Sequence, residues 1–324
     1  MSYLPLEMMV AISAAAGFFN PIPQQGEEGY QADKGHYFRI LYENDASFGT
    51  DCNYTHGTRV DYAQRIGTGP DWWGASLTQN IYTPTTHTSG AVQGQHPYGG
   101  YLAVGAAYMM TGVDVGASFE FQLGTSGKAS LAEEAQHLVH AAGDMAQWNG
   151  WGDQVPGEVT VQLAMRQDFR LPWVESSFWN GWQTDGSFYL REEVGTVSIA
   201  GGVGMTFRFG YNLPPTMQLN GNSAADFGIS LLQKPDYNPD EISYFATLSA
   251  GINYVARDMF IDGGVFHYFE QTCSRVPWQG EVRIGLGVRY QGIDYYMGLL
   301  YMTDTYRSQA DDTYMGSFAI GWSW

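Results

Sequence analysis

One stretch of this 324-residue chain carries polar side chains at a spacing suited to hydrolysis. From Ser130, the segment SLAEEAQHLVHAAGD changes from a period of two to that of a helix. Ser130 with Glu133 three residues on forms a capping box that predicts the helix start, and Gly143 ends its apolar-periodic part. Gln136, His140 and Asp144 fall at i, i+4 and i+8, on one face of a helix that continues through Gly143. A carboxylate there can orient the imidazole, which then acts as a general base on water. A solvated surface helix with an incidental histidine has the same spacing. A second polar cluster runs through Glu43, Asn44 and Asp45, then Thr50, Asp51, Asn53, Tyr54 and Thr55. Carboxylate, amide, hydroxyl and backbone oxygens are what a calcium ion takes. A polar loop rich in Asx turns has that composition too, and EF-hand spacing is missing. No GxSxG element occurs, and no Ser stands beside a His in a recognisable arrangement. Calcium with a His-activated water would hydrolyse an ester without a protein nucleophile.

The elements that must position these residues are strands. From about His36 onward most segments alternate with period two: Val115, Ala117, Phe119, Phe121 and Leu123 against Gly116, Ser118, Glu120 and Gln122 is one example. A soluble sandwich alternates in the same way. Length separates the two, because several segments run longer than the roughly 5 or 6 residues usual in soluble proteins and reach the roughly 9 to 11 of tilted membrane strands. Aromatic pairs stand near segment ends, at Trp72 and Trp73, Tyr295 and Tyr296, and Trp322 and Trp324, as interfacial girdles require. In the last segment Tyr314, Phe318, Ile320, Trp322 and Trp324 share a face, in the manner of the C-terminal insertion signal of bacterial outer-membrane barrels. Twelve strands are predicted near residues 36–44, 55–66, 74–83, 98–110, 114–124, 157–169, 185–194, 196–211, 242–256, 279–291, 293–305 and 313–324. An even number closes an antiparallel barrel without an unpaired edge. The expected fold is all-β, an approximately twelve-stranded antiparallel transmembrane β-barrel with one short helix in an outer loop. With both termini periplasmic, the connections 45–54, 84–97, 125–156 and 257–278 face outward, and 67–73 and 111–113 are short periplasmic turns. The long connection 212–241 breaks that rule.

Composition supports export and excludes other classes. There are 15 basic and 33 acidic residues, a net charge of −18, which argues against nucleic acid as a partner. Met8 to Phe19 has the length of a signal-peptide apolar region, with small residues from Ser13 to Gly17 for cleavage but no Lys or Arg in front. Residues 1–30 are therefore expected to be a leader and 31–324 a single barrel domain. Cys52 and Cys273 read as two unpaired thiols.

Six pieces in order resemble the outer-membrane lipid A 3'-O-deacylase family. They are Glu43-Asn44-Asp45, Tyr54-Thr55-His56-Gly57, Gln79 through Pro84, Pro97 through Tyr101, the helix with Gln136 and His140, and Trp151 through Gln154 followed by Glu158. The resemblance implies a twelve-stranded barrel that uses calcium to remove an acyloxyacyl chain from lipid A in the outer leaflet of a Gram-negative outer membrane. It implies that Asn44 and Asp45 hold calcium, that His140 takes a proton from water, and that Gln136 and Thr55 line the site. Asp144 is the nearest candidate for the family's acid after the catalytic His. Strand parity places Asn44 with Phe38, Ile40 and Tyr42 on the lipid-facing side. The family also has a Lys in the outer loop after the third strand, whereas residues 84–97 contain no Lys or Arg, leaving His87 or His96 as substitutes. The expected partner is lipopolysaccharide in the outer membrane, met by a monomer. The competing readings are hydrolysis of another outer-leaflet lipid and a non-enzymatic barrel serving as pore or scaffold.

Overall fold

Alternating apolar and polar residues suit a sheet with lipid on one face and a polar interior on the other, and closure of that sheet satisfies every strand edge. The computed structural model describes residues 35–45, 52–86, 90–144, 147–215, 222–270, 272–310 and 312–324. The expected leader and Thr50, Asp51 and His87 lie outside these residues. Twelve antiparallel strands form the wall: β1 (His36–Asn44), β2 (Asn53–Arg65), β3 (Asp71–Thr83), β4 (Gly99–Met110), β5 (Val115–Ser126), β6 (Val159–Arg170), β7 (Trp182–Gly195), β8 (Ser198–Tyr211), β9 (Ser243–Asp258), β10 (Trp278–Tyr290), β11 (Ile293–Met302) and β12 (Thr313–Ser323). Each pairs with its neighbour in sequence, and β12 closes on β1 from Tyr37↔Ser323 to Asn44↔Gly316. A two-residue ladder of Ser176–Ser177 on Gln183 and Thr184 decorates one connection and is not part of the wall. Among the described residues no helix is long and apolar enough to cross a membrane.

Parity decides where each aromatic goes. Phe121, Leu163, Leu248, Ile284, Leu286 and Phe318 point outward and are exposed. Of the predicted girdle pairs, Trp73 and Tyr295 face outward, whereas Trp72 and Tyr296 turn in and are buried in the lumen. Adjacent residues on a strand point to opposite faces, so two neighbouring rings cannot both join a girdle. Trp322 and Trp324 are two apart and both face out.

The lumen is filled at the end with the short turns, and a polar chamber remains toward the other mouth. Residues 222–233 of the long connection fold into the barrel from the end where the turns are short. Phe227, Ile229 and Leu231 pack on Tyr37, Ala63, Trp72 and Met109. The Gly112 amide donates to the Leu231 carbonyl at 3.0 Å, and Gln233 returns a bond to the Gly112 carbonyl at 2.7 Å. Higher up, Glu120 of β5 accepts from the Ala225 amide at 2.6 Å and from Arg59 Nη2 at 3.0 Å, and Asp226 pairs with Arg166 at 3.2 Å. Arg39 donates to the Asp226 carbonyl at 2.6 Å. These buried charges are paired or hydrogen-bonded, as burial demands. At the opposite mouth a four-residue helix (Met259–Asp262) caps the chamber, with Phe260 stacked on Tyr82 at 4.7 Å. Cys52 and Cys273 are buried and form no disulfide with each other.

Candidate active site on the outer wall

The loop between β5 and β6 carries one helix of eleven residues, labelled here αL1 (Ala132–Ala142). It does not start from a capping box. The Ser130 hydroxyl donates to the Gly127 carbonyl at 2.6 Å, closing a 3-10 turn, and the helix follows Leu131, whose φ is 56°. It ends at Ala142, where Gly143 donates to the Val139 carbonyl. Asp144 therefore lies past the helix, exposed, with φ of 53°. The i, i+4 relation to His140 requires a helix that continues, so Asp144 is not positioned by it to orient the imidazole. The buried stripe is instead Ala132, Gln136 and His140, the last two 3% and 4% exposed, while Leu138 on the opposite face is 73% exposed.

This stripe rests on the outside of the barrel. Parity turns Gln79, Ile81 and Thr83 of β3 and Gly100 of β4 outward. Gln79 donates to the Ser130 carbonyl at 2.8 Å. A Cβ at Gly100 would overlap Ser130 Oγ and Ala132 Cβ, so glycine is what lets the helix reach the wall. Gly100→Val is accordingly expected to displace αL1, since overpacking costs about 1–3 kcal/mol. Protease sensitivity of the 127–158 loop should rise while the barrel keeps its heat-modifiable gel shift. Unchanged proteolysis would show that the wall accommodates the branch.

Ile81, Tyr98, Ala132, Trp148 and Trp151 form the apolar packing beneath the helix. Trp151 Nε1 donates to Gln136 Oε1 at 2.9 Å. An indole N–H only donates, so this bond fixes the amide with its oxygen toward Trp151. Gln136 Nε2 is left buried with no partner in the protein. Trp148 meets the His140 ring edge-on at 6.5 Å, and His137 bonds the Trp148 carbonyl at 3.1 Å.

The first two strands supply the other half. Asn44, the last residue of β1, faces outward and stands opposite His56, which in turn stands opposite Ile81. A bulge between Tyr54 and His56 makes Thr55 an extra residue and re-aims it. Its hydroxyl lies 3.3 Å from both carboxylate oxygens of buried Asp45 and accepts from Thr83 at 3.2 Å. Asp45 also accepts the Cys52 amide at 2.8 Å, which ties off the loop. The remaining members of the sequence cluster go elsewhere. Glu43 points into the lumen, accepting from Tyr54 at 2.9 Å and Ser317 at 2.9 Å and pairing with Arg283 at 3.2 Å. Asn53 also faces inward, accepting from Tyr306 at 2.7 Å.

Asn44, Asp45 and Thr55 offer amide, carboxylate and hydroxyl oxygens, the donor chemistry calcium takes, with a single carboxylate. Among the described residues there is no group of three or more His, Cys, Asp or Glu that could hold a metal. His96 is no substitute for a loop cation. It is buried, stacked on Tyr82 at 5.1 Å, and bonded to the Pro97 carbonyl, and burial pushes its pKa down to about 4, leaving it neutral at pH 7. The sequence placed His56 and Thr83 within the pieces that carry the resemblance but gave them no role, and it did not single out Trp148. Parity back from Val60 and Thr58 was the available signal for His56.

An apolar outer belt, a plugged polar lumen and a buried polar cluster on the outer wall define an outer-membrane β-barrel whose chemistry-bearing residues sit on the lipid side. The chain belongs to the outer membrane protein LpxR family, whose model matches residues 7–324, and it is a protein of the Gram-negative outer membrane. It is similar to the structure of LpxR from Salmonella typhimurium, with a TM-score of 0.72 and 16% identity over 88% of this chain and 99% of that one. The β domain of the Bordetella autotransporter BrkA gives 0.46 at 11% identity, covering 90% and 99% of the two chains. The translocator domain of the autotransporter NalP from Neisseria meningitidis gives 0.39 at 9%, covering 98% and 94%. No curated protein matches the sequence.

Proposed function

We propose that this protein hydrolyses the ester-linked acyloxyacyl chain of lipid A in the outer leaflet, with His140 as general base. The observation that carries this reading is the buried polar stripe of Gln136 and His140 on a helix packed against the lipid-side wall at Ile81, whose strand partner His56 stands opposite Asn44. An outward position on a membrane barrel is ordinarily apolar. Polar groups covered there suit a lipid whose ester enters from the leaflet. The plug disfavours the pore alternative, because Phe227, Ile229 and Leu231 occupy the lumen.

In this mechanism a His140 ring nitrogen accepts the proton of water as the oxygen attacks the ester carbonyl, then returns it to the departing alkoxide. The Gln136 amide, held by Trp151, donates toward the carbonyl oxygen as charge builds on it. Asn44 and Asp45 would hold calcium, with Thr55 placing the Asp45 carboxylate; when bound, calcium supplies positive charge to the oxyanion. Trp148 and Trp151 wall the histidine and the amide from bulk water. The test is mass spectrometry of lipid A incubated with purified protein in detergent. Release of a single fatty acid, lost on addition of a calcium chelator and regained with calcium, is expected. Absence of release from both lipid A and phospholipid overturns the enzymatic reading; release from phospholipid alone redirects it to another outer-leaflet lipid.

A further inference from the structure

His56 is a second imidazole on the outer wall, and the scheme above leaves it without a role. It follows the bulge at Thr55 and stands between Asn44 of β1 and Ile81 of β3 in register. The residue is 7% exposed, and its ring meets Tyr42 edge-on at 5.0 Å. Nε2 lies 2.9 Å from the Thr58 hydroxyl. Nδ1 is buried and has no partner in the protein. A hydrophobic side chain would fill an outward wall position without leaving a polar atom unsatisfied. Gln136 Nε2 is in the same condition, and Ile81 links the two residues: it is the strand partner of His56 and packs with Ala132 and Trp151, one turn from and bonded to Gln136 respectively. The Thr58 hydroxyl rotates and can donate to Nε2, which leaves the ring hydrogen on Nδ1 as a donor.

We infer that His56 is a substrate-contacting residue whose Nδ1–H donates to an oxygen of the bound lipid, alongside the Gln136 amide. The inference rests on the deacylase reading of the same site. Ester and phosphate oxygens share the required acceptor chemistry, so both are tested. The experiment uses the full-length protein in detergent micelles with His56→Leu, His56→Gln and His56→Asn. Asparagine sets an N–H where Nδ1 stood, whereas glutamine reaches the Nε2 position.

For release of fatty acid from lipid A, His56→Leu and His56→Gln are expected to lower kcat/KM about tenfold, and His56→Asn to restore it to within about threefold of wild type. If the acceptor is a phosphate, the Leu defect vanishes on dephosphorylated lipid A; if it is the ester, the defect persists. A packing role predicts instead that Leu, which fills the space against Tyr42 and Ile81, keeps wild-type kcat/KM. That result, or His56→Asn as impaired as His56→Leu, overturns the inference. Binding of lipid A to His140→Ala, compared with His140→Ala/His56→Leu, gives a readout independent of turnover, with about tenfold weakening expected in the double variant. A wild type that releases nothing would sink the deacylase reading alone. Equal affinities in the binding comparison would then judge His56 separately.

Discussion

His140→Ala is expected to lower kcat for acyl release by about 10²- to 10⁴-fold, the range a positioned general base contributes. The argument rests on where the ring is held. His140 occupies the last turn of an eleven-residue helix whose inner stripe packs on Ile81, and Trp148 lies against the ring edge-on. Its imidazole is thus on the lipid side of the wall and shielded from bulk water. KM should change little, because the ring acts on water rather than holding the acyl chains. The barrel should keep its heat-modifiable gel shift, since among the described residues no strand pairing involves the loop. Quantifying released fatty acid against time at saturating lipid A checks this. Activity within threefold of wild type would reassign His140 to packing and leave the water without a base.

Glu120→Ala should produce the largest loss of stability, about 3–5 kcal/mol, as expected when one partner of a buried ion pair is removed. Glu120 is fully buried at the centre of the lumen and accepts from Arg59 Nη2 at 3.0 Å, Ser76 Oγ at 2.5 Å, Gln122 Nε2 at 3.0 Å and the Ala225 amide at 2.6 Å. Alanine removes one of the two carboxylates paired with the Arg59 guanidinium, leaving Asp61, and strips the plug of an anchor to the wall. Glu120→Gln retains acceptor capacity and should cost less. The midpoint of urea unfolding in detergent measures both. Because the plug lies inside the wall and αL1 outside it, acyl release by folded Glu120→Ala should stay within about threefold of wild type. A stability equal to wild type would show that the plug does not depend on this carboxylate; a parallel collapse of activity would show that wall and site are coupled.

Much of this architecture was legible because alternation is a local property: each strand residue faces either lipid or lumen, and neighbours in sequence differ. Parity alone put Asn44 outward with Tyr42 and Ile40, and the helical stripe of Gln136 and His140 was readable from spacing of four. The same local reasoning failed where a residue's neighbours are distant. Ser130 looked like a helix cap, yet its hydroxyl closes a turn on Gly127. Glu43, Asn44 and Asp45 read as one oxygen-rich cluster, but alternation sends Glu43 to Arg283 and Ser317, 240 and 274 residues away. The bulge that frees Thr55 for Asp45 inserts one residue and breaks the very parity used to read the strand.

By itself, then, the sequence determined strand number, facing and the membrane that receives the barrel, because apolar and polar positions respond to the solvent beside them. Only the tertiary structure decided that residues 222–233 plug one end of the lumen, that Asp144 lies past the helix, and that the Trp151 indole fixes which way the Gln136 amide is turned. Those outcomes depend on pairs such as Glu120 with Ala225 and Gln79 with Ser130. Their hydrogen bonds form only when closure of the barrel brings separate strands and loops together, and no periodicity along the chain encodes them.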